Sequence, residues 1–482
     1  MSDQPELKRN LSSRHLTMIA IGGSIGTGLF LASGGVISMA GPGGGLTAYV
    51  IVSVMVYFLM TSLGEMATYM PVSGSFETYA TRFLGPSLGF SLGWNYWFNW
   101  AVTLAAELVA GSIIMQYWFP NIPGIYFSII FFVFLFILNY TSARSFGEAE
   151  YWFAGIKVTT TIVFIFCGIL MIIGVIGGRS PGFSNWMIGD APFVGGFSEI
   201  IAVLLIAGFS FQGTELVGIA AGESDNPEVN VPKAISSVFW RILIFYIGSI
   251  AVIGFLIPYT NPNLLCSDLK DIAVSPFTLV FRVIGIPAAA NIMNGVILTA
   301  VLSAGNSSMY ASTRMIYAMA KEKKAPSAFG KVNKNGVPVN ALFFTALFGA
   351  LAFLTSILEV GKVYVWLINL SALLGFIAWL GIAVSHYIFI MAFRAQGKDL
   401  SVLKYKAKWF PFGPLFSFLL CIFIILGQNY QAFITKNINW MEIISTYSGI
   451  ILFIIVFLYY KIKHKTKLIP LKDVDLTPID SM

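Results

Sequence analysis

Long apolar runs separated by short polar and basic stretches make up most of the chain. Runs near the ~20 residues that cross a bilayer fall at 16–41, 46–70, 88–118, 124–142, 151–177 and 194–221. They recur at 238–258, 273–319, 340–357, 363–392, 412–434 and 440–460. By that length criterion the pattern predicts an all-α integral membrane protein of about twelve spans. The run at 273–319 exceeds one straight span, so it calls for an entry segment or a strong tilt.

Two runs carry glycine-bearing interruptions: GGSIGTG at 22–28 and GFSFQGTE at 208–215. Each glycine inside a helix costs roughly 1 kcal/mol against alanine. Unwound backbone at membrane depth survives only where it is buried in protein or lines a cavity. The first stretch therefore reads as two half-helices with a break between them, whose free N–H groups suit a carboxylate. A tightly packed glycine-rich helix is the alternative for either segment alone. The pairing favours breaks, because Gly-interrupted segments at corresponding places in two halves mark transporter binding sites.

The broken runs are the first and sixth. That spacing predicts a five-plus-five inverted repeat at 16–177 and 194–392, accessory spans at 412–460, an N-terminal segment at 1–15 and a tail at 461–482, taken as a surface segment. Charge orients this plan. With twelve spans and an inside N-terminus, 23 of the 29 Lys and Arg fall on the inner side and five on the outer, while Lys157 lies within a span. This is the positive-inside asymmetry, and it places both termini in the cytoplasm. It also accounts for the net charge of +7 without a nucleic-acid partner.

Composition narrows the function classes. Only 11% of the 482 residues are charged, against 57% hydrophobic, and mean hydropathy is +0.80. The first fifteen residues are polar and lack a signal-peptide pattern. Cys167, Cys266 and Cys421, and His15, His386 and His464, are too scattered for a disulfide framework or a metal cluster. GGSIGTG lacks the Lys-Ser/Thr end of a phosphate loop and has no preceding strand. No catalytic constellation stands out, so the chain reads as a non-enzyme without a cofactor. The cluster GWNYWFNW at 93–100 reads as an interfacial aromatic belt.

The stretches RHLTMIAIGGSIGTGLF, GEMATYMPVSGSF, FGEAEYWFAGIKV, GFSFQGTELVGIAAGESDNP and VLSAGNSSMYASTRM resemble the amino-acid–polyamine–organocation superfamily. They look like its bacterial amino acid transporter branch. Within it, MVYFLMTSLGE, ILTAVLSAGNS and IAVSPFTLVF are most similar to the lysine permeases, while permeases for aromatic, neutral and other cationic amino acids share most of the motifs. The resemblance implies inverted repeats with broken helices 1 and 6 and a substrate site midway across the bacterial inner membrane. It also implies proton-driven L-lysine uptake without sodium. An exchanger, a permease for another amino acid and a lysine-binding sensor remain open beside that reading.

Ionisable groups inside the spans need a reason, since each costs about 2.5–3.5 kcal/mol on insertion scales. Lys157, in FAGIKVTTT, has no acid within a turn on its C-terminal side. It is a candidate proton-coupling group or a structural anchor against carbonyls near Gly22–Ser24. Similar sodium-independent transporters place a lysine here. Glu107, in AAELVAG, is the candidate for recognising a lysine ammonium; its alternative is a hydrogen bond to a neighbouring helix. Glu215, in QGTEL, reads as a substrate contact, a proton acceptor or a tie between half-helices. Backbone and hydroxyls of Ser24, Ile25, Gly26, Thr27 and Gly28 would hold the substrate carboxylate. Carbonyls of Phe209 and Ser210 would hold its α-ammonium, and Phe211 is a candidate lid or plain packing. Glu65 reads as a structural contact of the second span with the first. Glu148, Glu150 and Glu223 read as gate or capping residues near the cytoplasmic ends. Asp268 and Asp271 read as solvated residues of an outer mouth.

Overall fold

The structure is a computed structural model describing residue 18 and residues 25–478, apart from 73, 142, 179, 225, 265–274, 284, 430–432 and 434–439. Ser24, Cys266, Asp268 and Asp271 thus lie outside the described residues, as do Gly22, Gly23 and the N-terminal segment.

The described residues are helical throughout their ordered elements. In chain order these are α1 (Ser33–Tyr69), α2 (Phe76–Phe83), α3 (Pro86–Gln116), α4 (Gly124–Thr141), α5 (Ala143–Ile172), α6 (Gly196–Phe209), α7 (Leu216–Ala220) and α8 (Pro227–Arg241). They continue with α9 (Ser249–Leu256), α10 (Pro276–Val283), α11 (Pro287–Lys321), α12 (Val339–Gly349), α13 (Val360–Ala395), α14 (Phe412–Gly427) and α15 (Trp440–His464). A π-helical turn, Gly28–Ala32, leads into α1. A second, Ile242–Gly248, joins α8 to α9.

Nine segments among the described residues are long and apolar enough to cross a membrane. One of them, Gly28–Tyr69, folds back at Gly41, where φ is +75° ahead of Pro42. Gly45 then packs beside Val36 and Ile37, so this segment makes two passes. With the shorter apolar helices Gly196–Phe209 and Phe412–Gly427, the described residues make twelve passes, as the apolar pattern predicts. The long run at 273–319 resolves into the entry helix α10, a turn at Gly285 and the spanning helix α11. Proline at the first position of α3 and α11 costs no hydrogen bond.

Helix α3 is the centre. It is buried along nearly its whole length and packs against α11, α13, α2 and α4. Helices α4, α5 and α15 expose apolar side chains such as Ile130, Phe166 and Ile455, as lipid-facing surfaces do.

Three expectations change. Tyr96, Trp97 and Trp100 are at most 4% exposed, so the aromatic cluster is interior packing and not a belt. Helix α8 begins at Pro227, eleven residues before the predicted span. Arg241, counted among the inner-side charges, is therefore buried within a pass. Glu65 accepts hydrogen bonds from His386 of α13 (2.8 Å) and from the Ala407 backbone N–H (3.0 Å). It fastens the second pass to the tenth rather than to the first.

The tail is folded back over the basic end of the bundle. Arg82 of α2 meets Asp475 at 2.5 Å and donates to the Thr477 carbonyl. Gln396, just past α13, donates to the Leu471 and Val474 carbonyls. Tyr69 donates to the Leu476 carbonyl. Val474 and Leu476 are buried. Nearby, Lys324 pairs with Glu77 and Glu322. Burial works against its charge, but the two carboxylates outweigh that and hold the ammonium above its ordinary pKa.

Truncating a buried leucine to alanine costs about 2–5 kcal/mol. Leu476→Ala is therefore expected to lower the melting temperature of the purified protein by several degrees. An unchanged melting curve would show that the tail adds nothing to the fold.

Candidate functional site

The two interrupted segments meet backbone to backbone. Ile25 and Gly26 are non-helical, between the helical Met18 upstream and the helix that runs on from Thr27. A break therefore stands where the glycines predict one, at the edge of the described residues. On the other side, α6 ends at Phe209, turns through Ser210–Glu215 with Gly213 at φ +97°, and resumes as α7. A side chain at Gly28 would lie 2.4 Å from the Ser210 Cα. Only glycine permits this approach.

A cavity of about 20 Å³ lies at the meeting point, lined by Gly26, Thr27, Gly28, Trp100, Thr103, Glu107, Phe209, Gln212 and Ala304. That volume suits about one water, so an amino acid would enter only when the helices part. Glu107 Oε1 accepts from the Thr27 hydroxyl at 2.8 Å. Its Oε2 is buried and has no hydrogen-bond partner among the described residues. An acceptor left open in a buried site is costly, and a cationic ligand would remove the cost.

A polar network backs the cavity. Thr103 and Ser371 share a hydrogen bond of 2.6 Å, and Ser371 also reaches Asn99 Oδ1 at 2.9 Å. Gln212 donates to the Ser371 and Ala372 carbonyls at 3.2 Å each. Sequence reasoning missed this set. A signal was present, because Asn95, Asn99, Thr103 and Glu107 recur every four residues, along one slowly turning face of α3.

The remaining candidates lie beside the cavity. Ile25 is fully buried. The Ser210 hydroxyl shares a 2.7 Å hydrogen bond with Tyr49. Phe211 stacks on Tyr246 with centroids 4.1 Å apart, is fully buried and does not line this cavity. The Glu215 carboxylate folds back onto the Gly213 N–H (3.1 Å) and accepts from Trp379 (3.3 Å) and Tyr96 (3.4 Å). It ties the sixth-pass break to α13 and α3. Lys157 Nζ lies 3.8 Å from Glu150 Oε1, with both side chains fully buried. Glu150 also accepts from the Ser303 hydroxyl at 2.8 Å. Glu150, expected to cap a helix end, is thus an interior partner of Lys157 two turns along α5. The described residues hold no group of His, Cys, Asp or Glu suited to a metal ion.

A family model for amino acid permeases matches residues 15–471. The chain belongs to the amino acid permease family. It is 58% identical to the lysine-specific permease LysP of Escherichia coli, over 96% of this chain and 94% of that one. It is 52% identical to LysP of Lactococcus lactis, over 98% and 94%. It is also 51% identical to the histidine permease HisP of Lactococcus lactis, over 99% of both. A manganese transporter of Eremococcus coleocola shares the fold, with a TM-score of 0.56 at 14% identity over 93% of this chain and 94% of that one. This permease is accordingly a multi-pass membrane protein of the amino acid transporter class.

The close approach of the two breaks is directly testable. Gly28→Ala puts a methyl group into the Ser210 backbone. Overpacking of this kind typically costs about 1–3 kcal/mol, and it separates the two segments that line the cavity. Substrate uptake should fall at least tenfold. Gly155→Ala, whose added methyl meets nothing within 4 Å, should leave uptake unchanged. Equal behaviour of the two variants would contradict this geometry.

Proposed function

We propose that the protein takes up L-lysine by proton symport across the bacterial inner membrane, by alternating access and without sodium. The observation that carries the substrate is Glu107. A buried carboxylate with an open oxygen, beside the Gly26–Gly28 backbone, complements the side-chain ammonium of lysine. The two lysine-specific relatives favour the same substrate.

In this reading the inverted repeats are 16–177 and 194–392, with 412–460 accessory and both termini cytoplasmic. The amino acid's carboxylate meets the N–H groups and hydroxyls of Ser24, Ile25, Gly26, Thr27 and Gly28, at the start of the helix, where the dipole favours negative charge. Its α-ammonium meets the Phe209 and Ser210 carbonyls. Glu107 takes the distal ammonium. Glu215 holds the sixth-pass break in register through Gly213, Trp379 and Tyr96.

Lys157 and Glu150 form a buried pair whose proton content changes with access. Protonation of the pair from outside and release inside would couple lysine to the gradient. Glu215 is the second candidate for that proton. Removing one member of a buried pair leaves a stranded charge, so neither Lys157 nor Glu150 is dispensable in this scheme.

The substrate assignment is tested by competition. In reconstituted vesicles, lysine uptake should be blocked by unlabelled lysine and not by histidine or phenylalanine. Hydrogen bonds to charged groups contribute about 1.5–3 kcal/mol, roughly a ten- to hundredfold change in a binding constant. Glu107→Gln should raise the lysine KM by that factor. Histidine outcompeting lysine, or an unchanged KM in Glu107→Gln, would contradict the assignment. Uptake only after preloading would indicate an exchanger. Binding without flux would indicate a sensor.

A further inference from the structure

Arg241 is the last residue of α8, within the pass Pro227–Leu256. Its side chain is buried, and among the described residues Nε, Nη1 and Nη2 have no hydrogen-bond partner. A guanidinium cannot shed its charge and carries five donors. Leaving one uncompensated in a protein interior costs several kcal/mol, and at membrane depth such a group marks a functional site by default.

Its position gives that charge a task. The helix changes to a π-helical turn directly after it, over Ile242–Gly248, and π-turns gather at functional sites. Five residues on, Tyr246 stacks against Phe211 at 4.1 Å. Phe211 follows Ser210, the residue that meets Gly28 at the paired breaks. The sixth-pass break is thus joined through Phe211 to Tyr246, on the helical turn that directly follows Arg241. Glu215 and the Tyr246 hydroxyl are the ionisable groups within electrostatic reach of Arg241. In the present arrangement Glu215 is engaged with Gly213, Trp379 and Tyr96.

We propose that Arg241 receives a carboxylate on the path from the paired breaks to the basic end of the bundle. Two sources share that chemistry: the carboxylate of the departing amino acid, and that of Glu215 once it leaves its present partners. The fork of an arginine suits either, because it pairs with both oxygens at once. The inference rests on the uptake proposed above, and the two fail separately. Wild-type vesicles without uptake would sink that reading, whereas the Arg241 variants decide this one against an active wild type.

The experiment reconstitutes the full chain as wild type, Arg241→Met, Arg241→Lys, Glu215→Gln and the Arg241→Met/Glu215→Gln double variant. It measures lysine KM for influx and for efflux, together with accumulation under an imposed proton gradient. Replacing an unpaired buried charge by an apolar side chain of similar size is often neutral or stabilising, so Arg241→Met should melt no lower than wild type. If the substrate carboxylate is the ligand, Arg241→Met raises the efflux KM at least tenfold and leaves the influx KM within twofold. If Glu215 is the ligand, both KM values hold but accumulation falls at least tenfold, and the double variant matches Glu215→Gln alone. Wild-type constants and accumulation in Arg241→Met would overturn the proposal. Should Arg241→Met fail to fold, Arg241→Lys carries the test. Its point-charge ammonium cannot make the paired contact, so one of the two readouts should shift at least threefold. No shift in either would overturn the proposal.

Discussion

The approach of Gly28 to the Ser210 backbone is the contact on which the rest of the molecule depends. In lipid, a backbone that leaves the helix must be enclosed by protein or face a cavity. Here each interrupted segment encloses the other. Ser210 reaches Tyr49, Gln212 reaches the α13 carbonyls, and Glu215 holds the Gly213 N–H. At the sixth-pass break the backbone N–H groups of Ser210, Phe211, Gln212 and Thr214 turn back to carbonyls three residues earlier, and the Gly213 N–H goes to the Glu215 carboxylate. Broken helices, polar network and central cavity are one arrangement, not three features.

Charge inside the bundle follows the same economy. Glu150 is compensated by Lys157 and Ser303, Glu65 by His386 and the Ala407 N–H, and Glu215 by an indole, a phenol and a backbone amide. Two groups depart from this pattern. Among the described residues, Glu107 keeps one oxygen open, and Arg241 keeps its whole guanidinium open. One lines the cavity at the breaks, and the other directly precedes the turn that carries Tyr246.

Hydrophobic patterning located the twelve passes because burial in lipid leaves a continuous signal of the right length. The glycine interruptions located the breaks for a related reason, since glycine is costly in any helix that does not need it. Long-range pairing was not legible. Nothing local tells that Glu65 meets His386, some 320 residues away, whereas Glu150 stands seven residues before Lys157 on the same face of α5, a spacing the sequence did offer. The aromatic cluster at 93–100 misled because tryptophan serves interfaces and interiors alike. The tail is polar in composition and mostly exposed, and its two buried residues, Val474 and Leu476, join the bonds of Tyr69, Arg82 and Gln396 in seating it against the bundle, which its composition did not show.

In the proposed cycle a proton gradient alone drives net uptake through this site. The most direct measurement is radiolabelled lysine accumulation in vesicles reconstituted with the protein, free of internal amino acid and of sodium, with and without an imposed inward proton gradient. Accumulation above equilibrium should appear with the gradient, collapse with a protonophore and be absent in Lys157→Ala. Accumulation that ignores the gradient, or that survives in Lys157→Ala, would contradict that cycle.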